Sequence, residues 1–171
     1  MIQTGDLIGV GSPTNAFGQA IVASGQRQTT TTFDHIGVLE VAADKIWVWN
    51  ANPKLGVVRE GLRDFKTREG EREFAYFRLR IPVEWDFDWM TAQLGKPYNH
   101  TFIASDAAYY CADFVARAAS DGVFNFVPMQ FVGDFWQAYY AKKNLPVPHG
   151  ALGVHPNDML AQENVVRLDD N

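Results

Sequence analysis

The chain has 171 residues, 47% of them hydrophobic and 20% charged, with a formal net charge of −5. That is one ordinary globular domain, long enough to bury a core, and a single domain over residues 1–171 is expected. The mild acidity and the absence of a basic patch exclude a nucleic-acid footprint. A single cysteine excludes a disulfide framework and a multi-cysteine zinc site. No apolar run reaches the roughly 18 residues of a membrane span.

The N-terminus runs straight into structured-looking sequence, without the basic and apolar regions of a signal peptide, so a cytoplasmic location is expected unless a leader has been removed. Residues 5–10 (Gly-Asp-Leu-Ile-Gly-Val) read as a turn and a short apolar strand. Ser12-Pro13 offers an N-cap and a first-turn proline, and Phe17, Ala20, Ile21 and Ser24 follow at helical spacing as far as Gly25. Residues 26–32, ending in four threonines, have no apolar period and read as a surface loop. Strands are then expected over residues 33–41 and 45–50, at Val57-Val58, and over residues 74–81. Several short strands joined by tight turns describe an antiparallel sheet.

After Pro82, Trp85, Trp89 and Met90 mark a helix that stops at Gly95. Another starts at Cys111, with Phe114, Val115, Ala118 and Ala119 on one face and Gly122 as its stop, and residues 131–141 carry a third. The proline- and glycine-rich tail holds a helical start at residues 156–160 and a last strand at 165–168. The class is α+β, one sheet with helices against it. The five tryptophans all fall inside these elements and are expected to pack in the core.

Cys111 is the residue around which chemistry could gather. The first turn of a helix has unpaired N–H groups and a positive dipole end, and both favour a thiolate. The plainer role, a small buried core residue, is the commoner one for a lone cysteine. A free thiol, with a pKa of about 8.5, needs a partner to become a nucleophile at neutral pH. Of the four histidines, His35 is the best placed, because a strand holds it in a fixed direction; His100, His149 and His155 fall in loops. The spacing of His149 and His155 matches no metal-ligand signature, and neither a metal nor a cofactor is expected. A third polar group would orient the imidazole. Asn50, at the end of an apolar strand, is the first choice and Asn52 the fallback, whereas Glu40 has the wrong parity to face His35's side of its strand.

These residues carry a resemblance. Leu94-Gly95-Lys96-Pro97-Tyr98 followed by Cys111-Ala112-Asp113-Phe114-Val115, with Gly5-Asp6-Leu7-Ile8, His35-Ile36-Gly37-Val38 and Asn50-Ala51 elsewhere, resembles the motif set of the NlpC/P60 papain-like superfamily. Here the cysteine motif comes last instead of first, which resembles the circularly permuted YiiX/YebB-like (YaeF/YiiX) amidases. Tyr110 and the Pro156–Met159 turn are similar to that branch as well. The resemblance spans most of the chain and is weakest over residues 124–150. It departs at Ala112 and Asp113, where serine and glutamate are usual, at Asn99 for aspartate, and at Asn50 for glutamate.

What the resemblance implies is a papain-like antiparallel sheet or barrel packed against helices. Cys111 would be the nucleophile, His35 the base and Asn50 its orienter. The Cys111 N–H would form the oxyanion site, with a tyrosine hydroxyl from Tyr98 or Tyr110. The implied activity is a cysteine amidase or peptidase acting on a small peptide, such as a cell-wall fragment, or on an amino-acid amide. The same pair would also serve a lipid-like or thioester acyl substrate, as a hydrolase or acyltransferase. A non-catalytic binding module is the third reading. Oligomeric state is not legible.

Overall fold

A computed structural model describes residues 1–27 and 32–168, so residues 28–31 of the expected loop lie outside it. In chain order the strands are β1 (Leu7–Gly11), β2 (Phe33–Ala42), β3 (Lys45–Asn52), β4 (Gly56–Gly61), β5 (Glu73–Leu79), β6 (Val127–Pro128), β7 (Leu152–Gly153) and β8 (Val165–Leu168). The helices are α1 (Ala16–Ala23), α2 (Leu62–Glu69), α3 (Phe87–Ala92), α4 (Cys111–Ala118), α5 (Asp134–Ala141) and α6 (Pro156–Leu160). Six strands form one antiparallel sheet in the order β4-β3-β2-β1-β5-β8, and β6 pairs with β7 alone. The class is α+β, and the antiparallel sheet packs against helices.

The period-2 alternation of the strands divides the core in two. Leu7, Ile36, Val38, Trp49, Ala51 and Phe77 face a large cluster with side chains from α1, α3, α4, α5 and α6. Ile8, Val10, Leu39 and Val48 face the other way, where Phe65 of α2 covers them. Cys111 belongs to the first cluster. Trp49 is buried there as a packing residue, its indole N–H donating to Glu40 at 2.7 Å.

Three helices differ in their ends from the sequence reading, and α2 and the β6–β7 ladder are additions to it. The cap of α1 is Asn15, whose side chain accepts from the Gly18 N–H at 2.7 Å; Ser12 instead sits at φ 54, in a turn. Helix α4 stops at Ala118 and not at Gly122, because residues 84–86 capture the chain there. The Asp86 N–H donates to the Ala118 carbonyl at 2.9 Å, and the Ser120 N–H to that of Glu84 at 2.9 Å. The third expected helix begins at Asp134, three residues late. Helix α2 and the short β6–β7 ladder were not expected at all. Helix α2 is the consequential one, for it roofs the sheet over His35.

The Leu94–Tyr98 motif is tied to the β4 edge. The Val57 N–H donates to the Lys96 carbonyl and the Gly95 N–H to that of Val57, both at 2.9 Å. Gly56, at φ 73, makes this approach possible: a Cβ there would collide with the Lys96 carbonyl. The motif thereby sets Tyr98 beside the cysteine helix, where Tyr98 and Tyr109 form a bridge.

Phe65 is fully buried and holds the α2 side of the sheet almost alone. Phe65→Ala is expected to cost about 3–5 kcal/mol of unfolding free energy, read from urea melts. A loss below about 1 kcal/mol would mean that α2 is not a structural roof.

Candidate active site

The site begins where two strands separate. Both backbone polar groups of Leu39 bond to the segment leading into β1: its N–H donates to the Asp6 carbonyl and its carbonyl accepts from the Gly5 N–H, each at 2.8 Å. Strand alternation then turns the Asp34 carbonyl and the Ile36 N–H toward β3. The β2–β3 ladder, however, ends at the Val38–Trp49 pair, so β3 does not reach them. The thiol of Cys111 fills the notch, its Sγ hydrogen-bonded to the Asp34 carbonyl at 3.8 Å.

Cys111 is the first residue of α4, after an extended Tyr110 that makes no side-chain cap. The open first-turn N–H groups therefore surround the sulfur. Burial nevertheless dominates: Cys111 is 2% exposed, and its pKa is pushed up to about 12 by desolvation. The N–H groups of Ile36, Ala112 and Cys111 itself pull the other way, and the Asp34 carboxylate adds to the rise. The resting group is a thiol, not the free-standing thiolate that a helix N-terminus alone suggests.

His35 lies on the α2 side of β2, its ring stacked on Phe65 at a centroid distance of 6.0 Å. Its Nε2 is 3.1 Å from Oδ1 of Asn50. Asn52, the alternative, is used elsewhere, its Oδ1 accepting from the Lys54 and Leu55 N–H groups at 2.9 and 3.1 Å. Glu40 accepts from Trp49 and Arg59 on the opposite face. Burial lowers the pKa of His35, against the pull of the Glu69 and Asp34 carboxylates and the Asn50 hydrogen bond, while Arg68 adds to the lowering. Cys111 and His35 thus meet β2 from different sides of the notch, and the thiol's hydrogen bond goes to the backbone and not to the ring.

A charged belt that the sequence reading missed encloses the imidazole. Asn50 donates through Nδ2 to Glu60 at 3.0 Å. Glu60 pairs with Arg68 at 2.5 Å and Arg68 with Glu69 at 2.5 Å. Glu69 pairs with Arg72, which closes on Asp34. The signal for α2 was present: Leu62 and Phe65 at i, i+3 between Gly61 and Gly70, with Arg68 and Glu69 in the last turn.

Of the two tyrosines, Tyr110 is occupied, its hydroxyl accepting from the Val154 N–H at 3.0 Å and pointing at the Met129 sulfur. The Tyr98 hydroxyl makes no hydrogen bond among the described residues and lines both pockets of the site. Burial holds its pKa well above the ordinary phenol value, so it remains a donor. One pocket, about 50 Å³ and largely apolar, opens on Cys111 between Phe102, Met129 and Trp136. The other, about 510 Å³, opens on His35 and has charged side chains in its lining, among them Lys54, Arg68, Glu69 and Arg72. Nε2 of His100 lies 3.1 Å from the Pro53 carbonyl, and His155 bonds backbone through both ring nitrogens.

A family model described as "permuted papain-like amidase enzyme, YaeF/YiiX, C92 family" matches residues 1–167. The chain belongs to this family. It is accordingly a cysteine hydrolase of the amidase class. A crystal structure of YiiX from Escherichia coli O157:H7, described as a metalloprotein, shares its fold with a TM-score of 0.75 at 19% identity, over 99% of this chain and 97% of that one. No curated protein matches the sequence. Among the described residues, no group of three or more His, Cys, Asp or Glu side chains could hold a metal ion, and no helix is long and apolar enough to cross a membrane.

Two departures from the family pattern have local explanations. Asn99 organises its turn, its Oδ1 accepting from the Thr101 N–H and hydroxyl and its Nδ2 donating to the Ile103 carbonyl at 2.7 Å. Asp113 accepts from Arg117 one helical turn on, at 2.7 Å, leaving Oδ2 the one buried side-chain polar atom without a partner among the described residues.

Burial raises the Asp113 pKa from 3.8 to about 6, against Arg117. The folded protein therefore holds this proton more tightly than the unfolded chain does, and stability falls as pH rises through that window, by on the order of 3 kcal/mol. Asp113→Asn should flatten the change between pH 4 and 6 and raise the melting temperature at pH 7.5. An unchanged profile would contradict the assignment.

Proposed function

We propose that the protein hydrolyses the amide bond of a small peptide or amino-acid amide through Cys111, His35 and Asn50. The observation that carries this reading is the His35–Asn50 hydrogen bond beside the notch that holds the Cys111 thiol. With Nε2 held by Asn50, Nδ1 is the nitrogen left to act as base. In the forward step Cys111 Sγ–H gives its proton to His35 Nδ1 as the sulfur bonds to the carbonyl carbon. The charge that develops on the carbonyl oxygen is met by the Cys111 N–H and the Tyr98 hydroxyl, not by Tyr110, whose hydroxyl is engaged. The C–N bond then breaks and the leaving amine takes the proton from Nδ1, giving a thioester. Water, deprotonated by the same nitrogen, attacks the thioester, releases the acid and restores the thiol.

The proton path assigns the two pockets. The leaving amine must lie on the His35 side, in the larger pocket with Lys54, Arg68 and Arg72, which suits a polar amine such as the remainder of a peptide. The acyl part lies on the Cys111 side, in the small apolar pocket. Its apolar lining favours the second reading, a lipid-like acyl or thioester substrate. Its volume, about 50 Å³, is well below the roughly 150 Å³ of a cavity that takes up benzene, and this favours a short aliphatic side chain over a long acyl chain.

Hydrolysis of fluorogenic aminoacyl and dipeptidyl amides, alongside nitrophenyl esters of increasing acyl length, tests the reading. The expected outcome is cleavage of small aliphatic aminoacyl amides, a fall in rate with acyl length, and a loss of about 10⁴-fold or more in kcat for Cys111→Ala and for His35→Ala. Rates that rise with acyl length would favour the lipid-like substrate. Cleavage that survives Cys111→Ala would contradict the mechanism.

A further inference from the structure

The imidazole can serve as a base on the cysteine side only if its proton sits on the other nitrogen, and something must enforce that choice. Asn50 alone does not, because an amide presents either a donor or an acceptor to its neighbour by turning over. Turned one way, Oδ1 faces His35 and requires a proton on Nε2. Turned the other way, Nδ2 faces His35 and leaves Nε2 bare, moving the proton to Nδ1 and disabling the base. What stands on the far side of the amide therefore decides the chemistry.

Glu60 stands there. It lies on β4, one strand beyond Asn50, with Oε1 3.0 Å from Asn50 Nδ2. A carboxylate only accepts, so it selects the NH₂ edge of the amide. Arg68 binds both of its oxygens, with Nη2 at 2.5 Å from Oε1 and Nε at 3.3 Å from Oε2. Asn50 is wholly buried, so no water competes for either edge. The order Arg68–Glu60–Asn50–His35 is thus a chain in which each polarity dictates the next.

We propose that Glu60 is a positioning residue of the active site: it fixes the orientation of the Asn50 amide and through it the Nε2–H tautomer of His35. This rests on the reading of Cys111 and His35 as nucleophile and base. The family's usual glutamate at the Asn50 position is thereby replaced by an amide backed by a carboxylate one strand away. Positive charge arising on His35 during the reaction would feel Glu60 through the amide, in addition to the pull of Glu69 and Asp34.

The tautomer can be read without any substrate. Long-range ¹H–¹⁵N spectra of the histidine-labelled full chain at pH 7.5, with His35→Ala for assignment, distinguish the two neutral forms. The wild type is expected to show His35 as Nε2–H. Glu60→Gln, whose side-chain oxygen can still accept from Asn50, should keep that form. Glu60→Ala should give a mixture with Nδ1–H, and lower kcat by about 10- to 100-fold with little change in KM. Glu60→Ala leaves Arg68 paired with Glu69 alone, so the double variant Glu60→Ala/Arg68→Ala, in which Glu69 keeps its pair with Arg72, is read in the same way if the single one does not fold.

An Nδ1–H signal in the wild type overturns the proposal. So does a folded Glu60→Ala, or the double variant, that keeps a pure Nε2–H ring and the wild-type kcat. Failure of the hydrolase reading looks different: Cys111-dependent cleavage would be absent while the tautomer still responded to Glu60.

Discussion

β2 and β3 stop pairing after Val38 and Trp49, and the backbone groups left over receive the thiol. In a continuous sheet the Asp34 carbonyl and Ile36 N–H would be spent on the neighbouring strand. Because the strands part there, a helix N-terminus can approach β2 closely enough for Cys111 to sit among backbone donors. His35 lies between those two residues in sequence, so the strand that receives the thiol also carries the imidazole, on its α2 side. The tether of Leu94–Tyr98 to the β4 edge completes the arrangement by setting Tyr98 between the two pockets.

Burial governs how this site can work. It disfavours charge on Cys111 and on His35 alike, so both rest neutral. Moving one proton from sulfur to nitrogen creates two charges but no net charge, and three N–H groups wait for the anion. On the reading proposed for Cys111 and His35, the nucleophile forms in step with attack, in place of a standing ion pair. The belt from Asp34 through Arg72, Glu69, Arg68 and Glu60 to Asn50 then acts as fixed polarity around the imidazole, placed before the reaction starts.

Much of this was legible in the residues. The β-branched content of residues 33–41 marked a strand, with another over residues 45–50, and the spacing after Cys111 gave its helix, because that helix buries one face. Parity along β2 was enough to turn Glu40 away from His35, and the apolar surroundings of Asn50 marked it as a residue needing a partner. What escaped was non-local or masked by polarity. Helix α2 is mostly charged, so its two apolar residues gave a thin signal, yet Phe65, Arg68 and Glu69 all border the imidazole. Glu60 could not be connected to Asn50 without the β3–β4 register. The raised pKa of Cys111 likewise follows from three-dimensional burial, and the helix-dipole argument by itself points the other way.

The central claim is that His35 activates a buried, neutral Cys111, and the rate of alkylation by iodoacetamide across the pH range tests it most directly. The sign follows from the direction of the His35 shift: the neutral ring is the base, and its pKa lies below 6.5. The wild type should label at a plateau rate from pH 6.5 upward, with the fall confined to lower pH. His35→Ala should lose that plateau and label only as the thiol itself ionises, toward pH 12. Identical profiles for the two proteins, both rising only at high pH, would contradict the account.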